Sequence, residues 1–328
     1  MLTNKGDDGT EGASSTSGLP KMHPDLVVIP PILRRLGLLP IIEGSVQNVR
    51  RQLERINKWL SQSSTPLSCE QLLTYEVNGR QVPCKAYWPD DLENPRLMFY
   101  CHGGGFRHGT LTGWDAPLRQ LVRDSGVAVL SIEYALAPEH PFPTAFDEVG
   151  AVLRNVIAEG VVSGHAVSGF ALGGDSAGAN LALGTALALR DEGVDVLRGL
   201  TLFYGSYSKD VDSESWRRLS GYGGQGLSST AMRTYWETYL PNDDVDWRVQ
   251  PLHADLTGLP PTRLIVGDLD PLYDENLALA AKLEACGVES NLTIMPNVIH
   301  GFIRFNEIAG VVRGVIREEA KALRAFSA

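Results

Sequence analysis

Three clusters in this sequence hold residues suited to covalent chemistry. The first is Gly174-Asp175-Ser176-Ala177-Gly178. It follows an apolar run that reads as a strand and precedes AGANLALGTALALR, which reads as a helix. A sharp strand-to-helix turn would lift the Ser176 hydroxyl above a sheet. The small neighbours let strand and helix approach each other. The backbone N–H of Ala177 would lie beside that hydroxyl at a helix N-terminus, where the dipole favours negative charge. The pentapeptide alone is common by chance; its strand–helix context makes Ser176 a candidate nucleophile. The second cluster is His102-Gly103-Gly104-Gly105-Phe106, straight after the apolar run LMFYC. Glycines allow a sharp turn and leave N–H groups unshielded. Such donors stabilise the oxyanion of a tetrahedral intermediate, and losing one costs about 3–4 kcal/mol in comparable sites. A phosphate-cradling reading fails, because no Lys-Ser/Thr follows the glycines.

The third cluster must supply a base and a group to orient it. A serine hydroxyl is a poor nucleophile until an imidazole takes its proton, and a carboxylate fixes the imidazole tautomer. Of the seven histidines, His300 follows the last predicted strand and precedes the last predicted helix. That position suits the order nucleophile, acid, base. His102 belongs to the glycine run; His23, His108, His140, His165 and His253 lie in loops or near the tail. The carboxylate should follow the preceding strand, where RLIVGDLDPLYDE offers Asp268, Asp270, Asp274 and Glu275. The last two read as favourable charges at a helix start. Spacing alone does not separate Asp268 from Asp270.

These loops need a frame to bring them together. Strands are predicted at 72–77, 82–87, 97–101, 127–132, 169–172, 200–203, 263–266 and 291–295. Several are short unbroken apolar runs, as in parallel strands buried on both faces. Helices are predicted near 116–124, 146–159, 177–190, 275–285 and 311–326, and Asn78-Gly79-Arg80 marks a hairpin between the first two strands. An antiparallel start followed by alternating strands and helices implies an α/β fold with a mostly parallel, eight-stranded sheet flanked by helices. Residues 1–20 read as a flexible tail. Val46, Val49, Leu53, Ile56 and Leu60 recur at helical spacing ahead of the first strand. Residues 205–250 form a long insertion without a strand, carrying Tyr207, Trp216, Tyr222, Tyr235, Trp236, Tyr239 and Trp247. Such a segment reads as a lid or pocket wall, and its aromatics also suit a helical subdomain core.

Composition narrows the alternatives. With 29 Lys plus Arg against 39 Asp plus Glu, the net charge is −10, which argues against nucleic acid or an anionic membrane as the main partner. The four cysteines, Cys69, Cys84, Cys101 and Cys286, show no metal-binding spacing and read as small buried apolar residues in a reducing compartment. The start of the chain has no apolar signal-peptide core, and LVVIPPILRRLGLLPII is interrupted by prolines and arginines, so a cytoplasmic protein without a membrane span is expected. Residues 221–226, GYGGQG, match a dinucleotide-binding fingerprint, but the segment before them is polar and not strand-like. No HExxH, zinc-ligand or EF-hand pattern occurs, and a serine relay needs neither metal nor cofactor.

Five motifs together resemble the hormone-sensitive-lipase-like family of α/β-hydrolases, also called bacterial esterase family IV. They are HGGGF at 102–106, EYALAPEHPFP at 133–143, GDSAG at 174–178, DPL at 270–272 and HGF at 300–302. The resemblance runs in order from about Leu67 to the C-terminus. It implies an α/β-hydrolase fold with a helical cap, here residues 21–60 and 205–250, over a core of 61–204 and 251–328. It implies a serine carboxylic-ester hydrolase with Ser176 as nucleophile, His300 as base and Asp270, rather than Asp268, as orienter. The oxyanion donors would be the N–H groups of Gly104, Gly105 and Ala177, with Gly103 a weaker candidate. His102, Asp175 and Glu139 would be supporting residues. One departure is Ala135, where the family often has Arg. The expected partner is a small ester of short-to-medium acyl chain. Dimers are common in the family, and nothing in this chain marks an interface. An amidase or acyltransferase would use the same three residues. The gibberellin receptors, which resemble the family but lack the base, are the non-catalytic alternative.

Overall fold

The computed structural model describes residues 21–38, 45–91, 93, 95–222, 226–242 and 246–326. The predicted tail and part of GYGGQG lie outside them. The apolar runs become the middle of one eight-stranded sheet. Its strands are β1 (Cys69–Val77), β2 (Arg80–Trp88), β3 (Leu97–Cys101), β4 (Ala128–Ile132), β7 (Phe170–Asp175), β8 (Leu197–Phe203), β9 (Thr262–Gly267) and β10 (Ser290–Met295). The spatial order is β1-β2-β4-β3-β7-β8-β9-β10. Between β1 and β2 the chain turns at Asn78 and Gly79, with φ of 50° and 77°, the left-handed pair a tight hairpin needs. β2 runs antiparallel to β1 and β4, and every other neighbouring pair is parallel. A separate hairpin of two-residue strands, β5 (Val161–Val162) and β6 (His165–Ala166), is too short for alternation to reveal.

Side chains alternate across the central strands and divide the core in two. Leu97, Phe99 and Cys101 of β3 face one layer. It contains α5 (Thr144–Glu159), α6 (Ala177–Asp191) and α9 (Tyr273–Ala285). Met98 and Tyr100 face the other, which contains α4 (Asp115–Ser125) and α10 (Gly310–Ala325). The helices α1 (Pro24–Val27), α2 (Ile29–Arg35) and α3 (Val46–Gln62) join that second layer through Leu26, Leu33, Ile56 and Leu60. The insertion between β8 and β9 contains α7 (Glu214–Leu219) and α8 (Ser229–Tyr239).

Sheet register does the positioning. Cys101 of β3 pairs with Gly174 of β7, and Asp175 pairs with Phe203 of β8. The residues that follow, His102-Gly103 and Ser176, therefore leave the same carboxyl edge side by side. β9 and β10 end on that edge too, with Gly267 opposite Met295. Loops beyond the carboxyl ends of parallel strands are where α/β sheets gather ligand-binding groups. β7 continues through Gly173, Gly174 and Asp175, three residues past its predicted end. Two flanking parallel partners outweigh the poor strand propensity of glycine. Two cysteines, Cys84 and Cys101, are buried, whereas Cys69 and Cys286 are only partly covered.

Candidate active site

Ser176 sits at φ 52° and ψ −121° between β7 and α6, a costly conformation for a residue with a side chain. It is held from both sides: its N–H donates to the Phe203 carbonyl at 2.9 Å, and its own carbonyl accepts from Ala179 at 3.1 Å. The turn requires its glycines. A Cβ on Gly178 would stand 2.0 Å from the carbonyl oxygen of Cys101, so α6 could not approach β3.

His300 lies in the loop after β10, with Nε2 3.0 Å from Ser176 Oγ. Its Nδ1 lies 2.8 Å from Asp270 Oδ2. Asp270 is wholly buried, and its Oδ1 accepts the Leu272 N–H at 2.9 Å. Both carboxylate oxygens are thus occupied, which locks the group toward the imidazole. Asp268 does a different job. Its Oδ1 accepts the N–H of Asn297 at 2.6 Å, tying the β9 loop to the turn that carries His300. Asp274 and Glu275 are not merely helix-start charges. Asp274 accepts the Ser215 N–H at 2.7 Å, and buried Glu275 accepts from the Ser208 hydroxyl at 2.9 Å. Both bind the insertion to α9.

The glycine run curls beside this relay. Gly104 has φ of 123° and Gly105 of 60°, and a Cβ on Gly104 would fall 1.9 Å from the carbonyl oxygen of His108. Gly104, Gly105 and Ala177 line a cavity of about 130 Å³ together with Ser176 and His300. The Gly103 N–H is committed elsewhere, donating to Asp175 Oδ1 at 2.8 Å. Asp175 also accepts the hydroxyls of Tyr100 at 3.0 Å and Tyr204 at 3.2 Å. Burial pushes its carboxyl up to about 6, against the opposing pull of the Tyr100 hydroxyl, the Gly103 N–H and the charges of Arg304 and His300, so at neutral pH it is an enclosed, hydrogen-bonded anion. It anchors the glycine run to the end of β7.

His102 is buried between Tyr134, with ring centroids 4.4 Å apart, and Trp114, at 4.9 Å. Its Nδ1 lies 2.7 Å from the Gly103 carbonyl. Burial holds its pKa at about 4, so it is a neutral packing residue turned away from the relay. Glu139 lies farther out and forms two 2.8 Å contacts with Arg50 of α3. Arg50 also donates to the carbonyls of Arg107 and Ala137, linking α3 to the glycine run and the segment behind it. At Ala135 the backbone N–H donates to Glu148 at 2.7 Å. The charge of Glu148 is met by Arg80 of β2 at 2.6 Å. From α8, Met232 and Tyr235 close the cavity, and the Tyr235 ring presses on Gly105, where a Cβ would lie 2.4 Å away.

A family described by the α/β-hydrolase fold matches residues 98–304 of the sequence. The chain belongs to that family. Its relatives place this α/β-hydrolase in the hormone-sensitive-lipase-like branch, bacterial esterase family IV. It is 32% identical over 231 residues to the carboxylesterase NlhH of Mycobacterium tuberculosis, covering 68% of this chain and 72% of that protein. The Pyrobaculum calidifontis esterase is 31% identical with a TM-score of 0.84, over 91% of this chain and 99% of that one. EstE1, a thermostable carboxylesterase cloned from a metagenomic library, is 29% identical with a TM-score of 0.84, over 87% and 98%.

Several working residues of this α/β-hydrolase escape a reading of the sequence. Tyr100 and Tyr204 hold Asp175, yet Tyr100 reads as an ordinary apolar strand residue and Tyr204 falls one residue past the predicted strand 200–203. His108 reaches Tyr235 at 3.1 Å and lines the cavity. Burial and nearby arginines hold it neutral, with a pKa of about 3. Its place in the HGGGFRHG stretch is the only hint the sequence offers.

Proposed function

We propose that this protein is a carboxylesterase that hydrolyses small carboxylic esters through an acyl-enzyme formed on Ser176. One observation carries the reading. Ser176, His300 and Asp270 stand in line at 3.0 and 2.8 Å beside a cavity lined by Gly104, Gly105 and Ala177. The homology to carboxylesterases supports it.

Ser176 Oγ attacks the ester carbonyl while His300 Nε2 takes its proton. Asp270 keeps the remaining proton on Nδ1 and stabilises the imidazolium. The carbonyl oxygen becomes an anion facing the N–H groups of Gly104, Gly105 and Ala177. His300 then returns the proton to the departing alcohol. Water, deprotonated by the same imidazole, attacks the acyl-enzyme, and collapse releases the acid and restores Ser176. The described parts of 21–60 and 205–250 act as a cap over this chemistry; Met232 and Tyr235 supply its inner wall. The family resemblance and the aromatic wall favour short-to-medium acyl chains. The His300–Asp270 pair sets the protein apart from a receptor that lacks the base.

An ester panel from two to twelve acyl carbons, run beside matched amides, tests the assignment. Short and medium p-nitrophenyl esters should be turned over fastest, with amides far slower. Ser176→Ala should lower kcat by about 10⁴-fold or more. Near-normal turnover by that variant, or failure of a fluorophosphonate to label Ser176, overturns it.

A further inference from the structure

Arg304 lines the same cavity as Ser176 and His300, and the proposed reaction leaves it without a task. It follows the HGF motif in a short helical turn, Phe302–Phe305. Its guanidinium carbon lies 5.1 Å over the Trp114 ring, and one terminal nitrogen donates to Asn57 Oδ1 of α3. Its Nε is sealed from solvent without a hydrogen-bond partner. Among the described residues it forms no ion pair. The carboxylates that favour its charge are Asp175, the stronger, and Glu54. Asp175 already accepts Gly103, Tyr100 and Tyr204, and Glu54 accepts the Thr110 hydroxyl.

An arginine keeps its proton in a protein, and a buried cation without a counter-charge is costly. The two neighbouring imidazoles, His102 and His108, are held neutral by burial and add no charge of either sign. Asp175 lines the same cavity and offsets the Arg304 charge through space. Its oxygens are taken by Gly103, Tyr100 and Tyr204, so among the described residues the guanidinium meets no carboxylate directly and keeps planar N–H donors suited to one.

We propose that Arg304 is a specificity-determining residue that receives a free carboxylate on the substrate, so that the preferred esters carry a second, unesterified acid group. This rests on the esterase reading above. The carboxylate could sit on the acyl or on the alcohol portion of the ester, and the test separates them. For the acyl arm, kcat/KM of mono-p-nitrophenyl adipate is compared with that of p-nitrophenyl hexanoate. For the alcohol arm, 4-carboxyphenyl butyrate is compared with phenyl butyrate. The unmodified protein should prefer the carboxylate ester by at least about tenfold in one arm, the scale of a hydrogen bond to a charged group. Arg304→Met should bring that ratio near unity, chiefly through KM, and Arg304→Lys should recover part of it.

No preference in either arm of the unmodified protein overturns the inference, and that measurement needs no variant to fold. A folded Arg304→Met that slows both members of a pair by the same factor also overturns it, because Arg304 would then only brace α3 through Asn57. If p-nitrophenyl hexanoate is hydrolysed without carboxylate preference, this inference alone fails. If that neutral ester is not hydrolysed at all, or is hydrolysed equally by Ser176→Ala, the esterase reading fails first.

Discussion

Asp270→Asn tests the relay most sharply, because the structure dictates what the introduced amide must do. Asp270 Oδ1 accepts the Leu272 N–H at 2.9 Å, and Oδ2 faces His300 Nδ1 at 2.8 Å. If the oxygen of the new amide stays on Leu272, its NH₂ group meets Nδ1. A donor there drives the imidazole proton to Nε2, which can then no longer accept from Ser176. If the amide flips, the NH₂ group meets the Leu272 N–H instead, and a buried donor loses its partner at a cost of about 1–3 kcal/mol. The first orientation disarms the base. The second keeps the reactive tautomer but carries that penalty and lacks the carboxylate charge that stabilises the imidazolium, so kcat should fall by about 10⁴-fold, as it does when such an orienter is amidated elsewhere. Asp268→Asn makes the control. The amide oxygen it introduces still accepts the Asn297 N–H, and no imidazole is involved. That variant should stay within about tenfold of the parent and lose about 1 kcal/mol of stability. Steady-state hydrolysis of p-nitrophenyl butyrate and urea unfolding, measured on both variants, decide the matter. Asp270→Asn remaining within tenfold of the parent, or Asp268→Asn proving the more damaged in kcat, would refute the reasoning.

Gly104→Ala should lower kcat by about 10²–10³-fold with a smaller change in KM, since its Cβ meets the His108 carbonyl at 1.9 Å; unchanged kcat would exclude this N–H from the oxyanion site. Burial raises the Asp175 carboxyl from 3.8 to about 6. Between pH about 4 and 6 the folded protein therefore keeps a proton that the unfolded chain has released. Its contribution to stability is full below pH about 4 and falls by up to about 3 kcal/mol as the pH rises through 6. Asp175→Asn cannot titrate there, so its urea-derived stability should fall less steeply across that window, and parallel curves would refute the assignment. Glu139→Gln should cost less than about 1 kcal/mol, as expected for a half-exposed ion pair, whereas Arg50→Ala also abandons the Arg107 and Ala137 carbonyls and should cost more; thermal unfolding of the two variants gives the order.

What the sequence determined by itself is local. A strand feeding a helix through GDSAG, three glycines leaving LMFYC, and a histidine after the last strand are each constrained by residues adjacent in the chain, because turn geometry and close backbone approach demand glycine at those positions. Unbroken apolar runs likewise mark buried parallel strands without reference to their partners. The tertiary structure decided what depends on the reach of one segment toward another. Asp268 and Asp270 share a loop and a chemistry; the register of β9 against β10 turns one toward Asn297 and the other toward His300. Gly103, Gly104 and Gly105 are alike in sequence, and Asp175 at the end of the neighbouring strand claims the N–H of the first. Nothing near Arg304 in the chain marks it as a cavity cation. That follows from Trp114, Asn57 and Ser176 converging from three distant parts of the sequence, and only a completed sheet edge brings them together.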